Sequence, residues 1–155
     1  MSTSPSNPPP DALMQMARAF LTHDHALFRT IDLTHQCVTR GRTSMLATAA
    51  SEFDDGEGLA HSGLHAIILD SVFGLTVFTT LDELKPIATI DLRVDNIARA
   101  KTGERLVCEA TCDGMRGDVA YVSGRLTAEA SGQTLATGAG AFMTGTRGKM
   151  PGMRL

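Results

Sequence analysis

Residues 63–79, GLHAIILDSVFGLTVFT, are apolar on almost every face, and no turn signal interrupts them. Such a segment forms either a buried helix or a pair of buried strands. The uninterrupted run and the Ser62-Gly63 entry favour one helix. A helix that is apolar all round must be covered all round. One curved antiparallel sheet wrapped about it meets that demand economically. A single sheet coats only part of a helix, so a second copy of the chain is expected to complete the burial.

The rest of the chain can supply that sheet. Residues 87–98, 105–112, 119–128 and 134–143 alternate like strands, joined by the turn-rich links KTGE, DGMRGD and EASGQ. Before the helix, residues 26–40 and 43–50 read as extended, and SEFDDGEGLA (51–60) reads as a polar loop. Leu13, Met14, Met16, Ala17, Phe20 and Leu21 recur at helical spacing behind Asp11 and predict a helix to about residue 24. The expected organisation is a disordered segment over 1–10, one domain over 11–146 and a flexible tail over 147–155.

Composition excludes several function classes. A chain of 155 residues fits one domain and buries a core without disulfides or a structural metal. A net charge of -3 supplies no basic stripe for nucleic acid, and with no Trp and one Tyr there is no aromatic cage for a base. Cys37, Cys108 and Cys112 are odd in number and lack zinc-knuckle spacing. The opening MSTSPSNPPP has no signal-peptide pattern, and the apolar run at 66–78 is short for a bilayer. The expectation is a cytoplasmic chain without a membrane or nucleic-acid partner.

Chemistry concentrates at residues 55–70, DGEGLAHSGLHAIILD. Asp70 is a lone carboxylate among Ile67, Ile68, Leu69, Val72 and Phe73. A charge there is costly unless partnered, so Asp70 is either a solvated or backbone-bonded carboxylate or a functional one. Ser62 and Gly63 open the helix. They are either an ordinary cap or a pair of N–H donors suited to an oxyanion or a polarised carbonyl. Eight helical residues separate Ser62 from Asp70, a span of about 12 Å. One side chain cannot bridge it. If both groups serve one carbonyl, Asp70 comes from another subunit, with the two helices antiparallel. His61 and His65 are spaced like metal ligands, but the glutamate of HExxH and a third ligand are missing, so no metal is expected. His61 then fixes the loop or assists carbonyl binding, and His65 packs or hydrogen-bonds structurally.

GLAHSGLHAIILD resembles the signature of hotdog-fold acyl-CoA thioesterases of the phenylacetate-pathway type, in which HGG precedes a helix carrying an acidic residue. The resemblance extends over about residues 27–146 and includes ATIDLRVDNIARAKTGERLVCEATC. It implies an α+β hotdog fold, a curved antiparallel sheet around a central buried helix. It implies hydrolysis of an acyl-CoA thioester, with coenzyme A as part of the substrate and no other cofactor. It further implies that Asp70 is nucleophile or general base, that the N–H of Ser62, with Gly63, polarises the carbonyl, and that His61 is the motif histidine. Thr89 matches a hydroxyl that orients the water or the carboxylate, and Asp55 a position often filled by Asn.

Against the family pattern, HSG replaces HGG, and Asp55 as a second carboxylate near Asp70 would raise the pKa of one of the pair. Arg99, Lys101 and Arg116 are candidates for coenzyme A phosphates. Phe73, Gly74 and Val77 are expected to line the acyl pocket, with the strand near residues 87–90. The expected assembly is a homodimer, or a dimer of dimers. A non-catalytic acyl-CoA-binding module and an enoyl-CoA hydratase or dehydratase are the alternatives on this fold.

Overall fold

Six strands form one sheet, and the long helix packs on one of its faces. The computed structural model describes residues 25–83 and 85–147, together with Ala12 and Gln15. Almost all of the helix expected before residue 25, the whole of 1–10, and all of the tail except Arg147 lie outside the described residues.

The elements in order are α1 (Ala26–Thr30), β1 (Thr34–Thr39), β2 (Arg42–Thr48), a short 3-10 turn at Ser51–Phe53, α2 (Gly63–Thr80), β3 (Ile87–Asn96), β4 (Arg105–Arg116), β5 (Val119–Ala128) and β6 (Thr134–Thr144). The sheet order is β1-β2-β4-β5-β6-β3, and every neighbouring pair is antiparallel. This is the expected α+β hotdog architecture.

Two expectations are corrected. Residues 26–30, read as extended, form a helical turn, closed by the N–H of Ile31 on the Leu27 carbonyl at 3.0 Å. Its Leu27 and Phe28 pack against the core, so tertiary burial overrides the local pattern. Strand β4 also runs past Cys112 to Arg116, because a register shift between Cys112 and Gly114 lets pairing continue to a tighter turn at Gly117.

Helix α2 seats itself through glycines. Gly124 and Gly138 face each other on β5 and β6 and leave a notch in the sheet. A Cβ on Gly124 would lie 2.7 Å from the Phe73 ring and 2.3 Å from the Glu109 carbonyl oxygen. The Phe73 ring therefore occupies space that only glycine leaves free. At the other end, Arg40 donates to the Thr80 carbonyl at 2.9 Å and pairs with Asp82. A cation there suits the negative end of the helix dipole.

The burial of α2 is uneven. Residues 72–79 are all buried within this one chain. In the first half, Gly63, Ala66, Ile67, Asp70 and Ser71 form an incompletely covered stripe at helical spacing.

Candidate active site

Asp70 lies on that stripe, facing β3. The Thr89 hydroxyl donates to Asp70 Oδ1 at 2.7 Å. An irregularity in β3 makes this contact possible. Register against β6 shifts between Thr89 and Asp91, leaving Ile90 as the extra residue, 55% exposed. Strict alternation from Leu92 and Val94, which pack on the core, would turn Thr89 away. The bulge resets the parity, so Thr89 and Ile87 face α2 as well.

Asp70 and Thr89 open onto a cleft of about 340 Å³. Its other walls include Ser71, Gly74, Ile87, Phe142 and, from α1, Leu27 and Phe28. Apart from Asp70 and His25 the walls carry no ionisable side chain, so the space suits an apolar group held next to one carboxylate. Gly74 lies one turn beyond Asp70 on the same face. A Cβ there would stand 3.5 Å from Ile87 Cδ1. Gly74 thus lines the cleft. Phe73 is instead held in the glycine notch, and Val77 is fully buried; neither lines this cleft.

The start of α2 is a second, separate arrangement. Ser62 is already helical (φ -63°, ψ -17°), and its hydroxyl makes no cap. The His61 ring does so instead, accepting the Gly63 N–H at Nδ1 over 3.0 Å. That places the ring proton on Nε2. Gly63 must be small for this, because a Cβ would sit 3.0 Å from that nitrogen.

The neighbouring N–H groups are all accounted for. Ala60 donates to the Ala100 carbonyl, His61 to Phe53, Leu64 to His61 and His65 to Ser62. Among the described residues no acceptor meets the Ser62 N–H. A lone free donor at the positive end of a long helix is suited to a developing negative charge.

The chain does not bring these two arrangements together. Ser62 and Asp70 are separated by two turns of α2, and neither His61 nor Ser62 lines the cleft around Asp70.

Asp55, in the loop before α2, engages Arg99. Asp55 accepts the Glu57 N–H at 2.8 Å and forms an ion pair with Arg99 at 2.7 Å. The Glu57 N–H first, and Arg99 second, hold its carboxyl below the ordinary range. Within this chain the surroundings of Asp55 are donors and a cation; the like-charge effect expected for the Asp55 and Asp70 pair concerns a carboxylate from a second copy. Arg99 also donates to the Ala60 and Leu59 carbonyls, so it is not a free cation. Lys101 and Arg116 are exposed and form no ion pair with the described residues.

His65 is buried, with Nδ1 2.8 Å from Asn96 Oδ1 and no partner for Nε2 among the described residues. Burial lowers its pKa, opposed by Asn96. No group of three or more His, Cys, Asp or Glu among the described residues could hold a metal.

Three residues escaped sequence reasoning. Phe142 sits on the inward face of β6, where strand alternation could have found it. Phe28 fell in the segment read as extended. Asn96 carried no signal, because only the fold places it against His65.

Comparisons with known proteins agree with this architecture. Residues 57–134 match the model of the thioesterase superfamily. No curated protein matches the sequence. A thioesterase family protein from Silicibacter pomeroyi superposes with a TM-score of 0.76 at 19% identity, covering 85% of this chain and 97% of its own. The PaaI protein of the E. coli phenylacetic acid degradation operon gives 0.76 at 11%, covering 86% and 94%. A hypothetical thioesterase from Streptococcus pneumoniae, solved with coenzyme A, gives 0.69 at 14%, covering 78% and 93%.

Proposed function

The chain belongs to the thioesterase superfamily, and from that premise we propose that it hydrolyses an acyl-coenzyme A thioester to the free acid and coenzyme A. The observation that carries this proposal is the Asp70 carboxylate, held by Thr89 on the wall of a cleft that Leu27, Phe28, Gly74, Ile87 and Phe142 also line. The acyl group occupies the cleft beside Gly74, Ile87 and Phe142. Asp70, as general base, takes a proton from water while the water oxygen bonds to the thioester carbon. The carbonyl oxygen gains charge against the free Ser62 N–H. The C–S bond then breaks, and the proton passes to the departing thiolate. In the nucleophilic variant of this scheme Asp70 attacks the carbonyl carbon itself, the C–S bond breaks to release the thiolate, which takes a proton from water, and hydrolysis of the mixed anhydride then gives the free acid and regenerates Asp70.

Two turns of helix separate Ser62 from Asp70, so each site takes its donor from a second copy. The incompletely covered stripe of α2 and the exposed edge strand β3 are the surfaces offered to that copy. An open strand edge is itself a template for pairing. For the nucleotide half of the substrate, the Streptococcus pneumoniae structure solved with coenzyme A provides support by analogy. Lys101 and Arg116 are the cations we assign to its phosphates.

The test is thiol release from a panel of acyl-CoAs by wild type and Asp70→Ala, with the oligomeric state measured alongside. Loss of a general base is expected to lower turnover by about 10²–10⁴-fold. Undiminished hydrolysis by a folded Asp70→Ala protein would overturn the assignment.

A further inference from the structure

The loop leading to Ser62 is pinned from outside α2, and Arg99 is at the centre of the pinning. Its Nε and Nη2 both donate to the Ala60 carbonyl at 3.2 Å, and Nη2 pairs with Asp55 at 2.7 Å. Asp55 in turn accepts the Glu57 N–H, inside the same loop. The Ala60 carbonyl and the His61 N–H belong to one peptide plane. Arg99 holds the first, and the Phe53 carbonyl takes the second at 2.7 Å. That plane is therefore clamped from both sides, and the next N–H along the chain is that of Ser62.

The loop is also tied to the segment that carries Arg99. Ala60 donates to Ala100 at 2.9 Å, and Thr102 to Gly58 at 3.0 Å. Leu59 bridges Lys101, and the Thr102 hydroxyl donates to Asp54. Each of these bonds needs the loop to fold back on itself, which Gly56 and Gly58 allow with φ of 92° and 82°.

We infer that Arg99 and Asp55 form a positioning pair for the proposed reaction, holding the 60–61 peptide so that the Ser62 N–H is aimed at the thioester oxygen. This rests on the hydrolase assignment above, and it removes Arg99 from the set of residues contacting coenzyme A. An oxyanion donor works only when aimed in advance, and a small misplacement costs much of its effect. A planar guanidinium fits the task because it holds a carbonyl and a carboxylate at once from a rigid fork, as an ammonium cannot.

The experiment compares wild type with Arg99→Gln, Arg99→Lys, Asp55→Asn and the Arg99→Gln/Asp55→Asn double variant. Each is assayed on an acyl-CoA and on the same acyl group carried by N-acetylcysteamine, which has no phosphates. Melting curves establish that each protein assayed is folded, and Asp55→Asn with Arg99→Lys remain as readouts if Arg99→Gln does not fold. The expected result is a kcat lowered about tenfold or more on both thioesters by Arg99→Gln. KM for acyl-CoA should move less than twofold, Arg99→Lys should restore little, and the double variant should be no worse than the poorer single one. A loss confined to acyl-CoA and expressed in KM would overturn the inference, because Arg99 would then be a phosphate ligand. Unchanged kcat in folded variants would overturn it as well. Wild type that releases thiol from neither substrate would overturn the hydrolase assignment itself, and the positioning role with it.

Discussion

Replacing Thr89 by Val removes one hydroxyl and keeps the shape of the cleft wall. The atom removed donates to Asp70 Oδ1 at 2.7 Å, a good charge-assisted length. Hydrogen bonds to charged groups are worth about 1.5–3 kcal/mol, and because Thr89 is exposed on an edge strand the lower end, about 1.5 kcal/mol, applies. If that energy holds Asp70 in its reactive orientation, losing it costs about tenfold in kcat. KM should hardly change, since the hydroxyl bonds to Asp70 and the valine preserves the wall. Steady-state thiol release with a saturating acyl-CoA measures the effect. Thr89→Ser keeps the donor and should recover most of the loss. A Thr89→Val enzyme within twofold of wild type, or a Ser variant as slow as the Val variant, would refute a role for the hydroxyl in orienting Asp70.

Gly74→Val should fill the cleft beside Ile87 and select against long or bulky acyl groups while sparing acetyl-CoA; equal loss across a chain-length panel would contradict the placement of the acyl group. Gly124→Ala meets the Glu109 carbonyl and the Phe73 ring, and overpacking of this kind costs about 1–3 kcal/mol, or roughly 2–4 °C of melting temperature per kcal/mol. An unchanged melting temperature would show that the notch is not tightly packed. His65 is held below its ordinary 6.5, chiefly by burial, so as pH falls the unfolded chain takes up this proton before the folded one. Its contribution to stability is therefore full above pH 6.5 and declines below it. Melting curves from pH 8 to 5 should slope more steeply for wild type than for His65→Thr, and parallel slopes would count against it.

Much of the fold was legible because its signals are local. An apolar run with a single carboxylate gave a helix starting at Gly63, and alternation with turn residues placed β3 to β6 within a few residues. The 12 Å between Ser62 and Asp70 also follows from helix geometry alone, so the need for a second copy could be argued before any fold was known. Residues 26–30 resisted because a five-residue turn carries little periodicity, and its Leu27 and Phe28 are helical in order to reach the core.

Sequence by itself thus determined the identity of the central helix, the strand pattern around it, and the position of Asp70 within it. These depend on side-chain period and turn chemistry, which act over a few residues. Tertiary structure decided how Thr89 reaches Asp70 and how the loop before Ser62 is held. The Ile90 bulge turns Thr89 inward, Asp55 engages Arg99 across the loop, and His61 takes the Gly63 N–H, leaving the Ser62 N–H without an acceptor among the described residues. Register shifts and ion pairs between distant segments leave no periodic trace, because they depend on which strands become neighbours and not on the residues beside them in the chain.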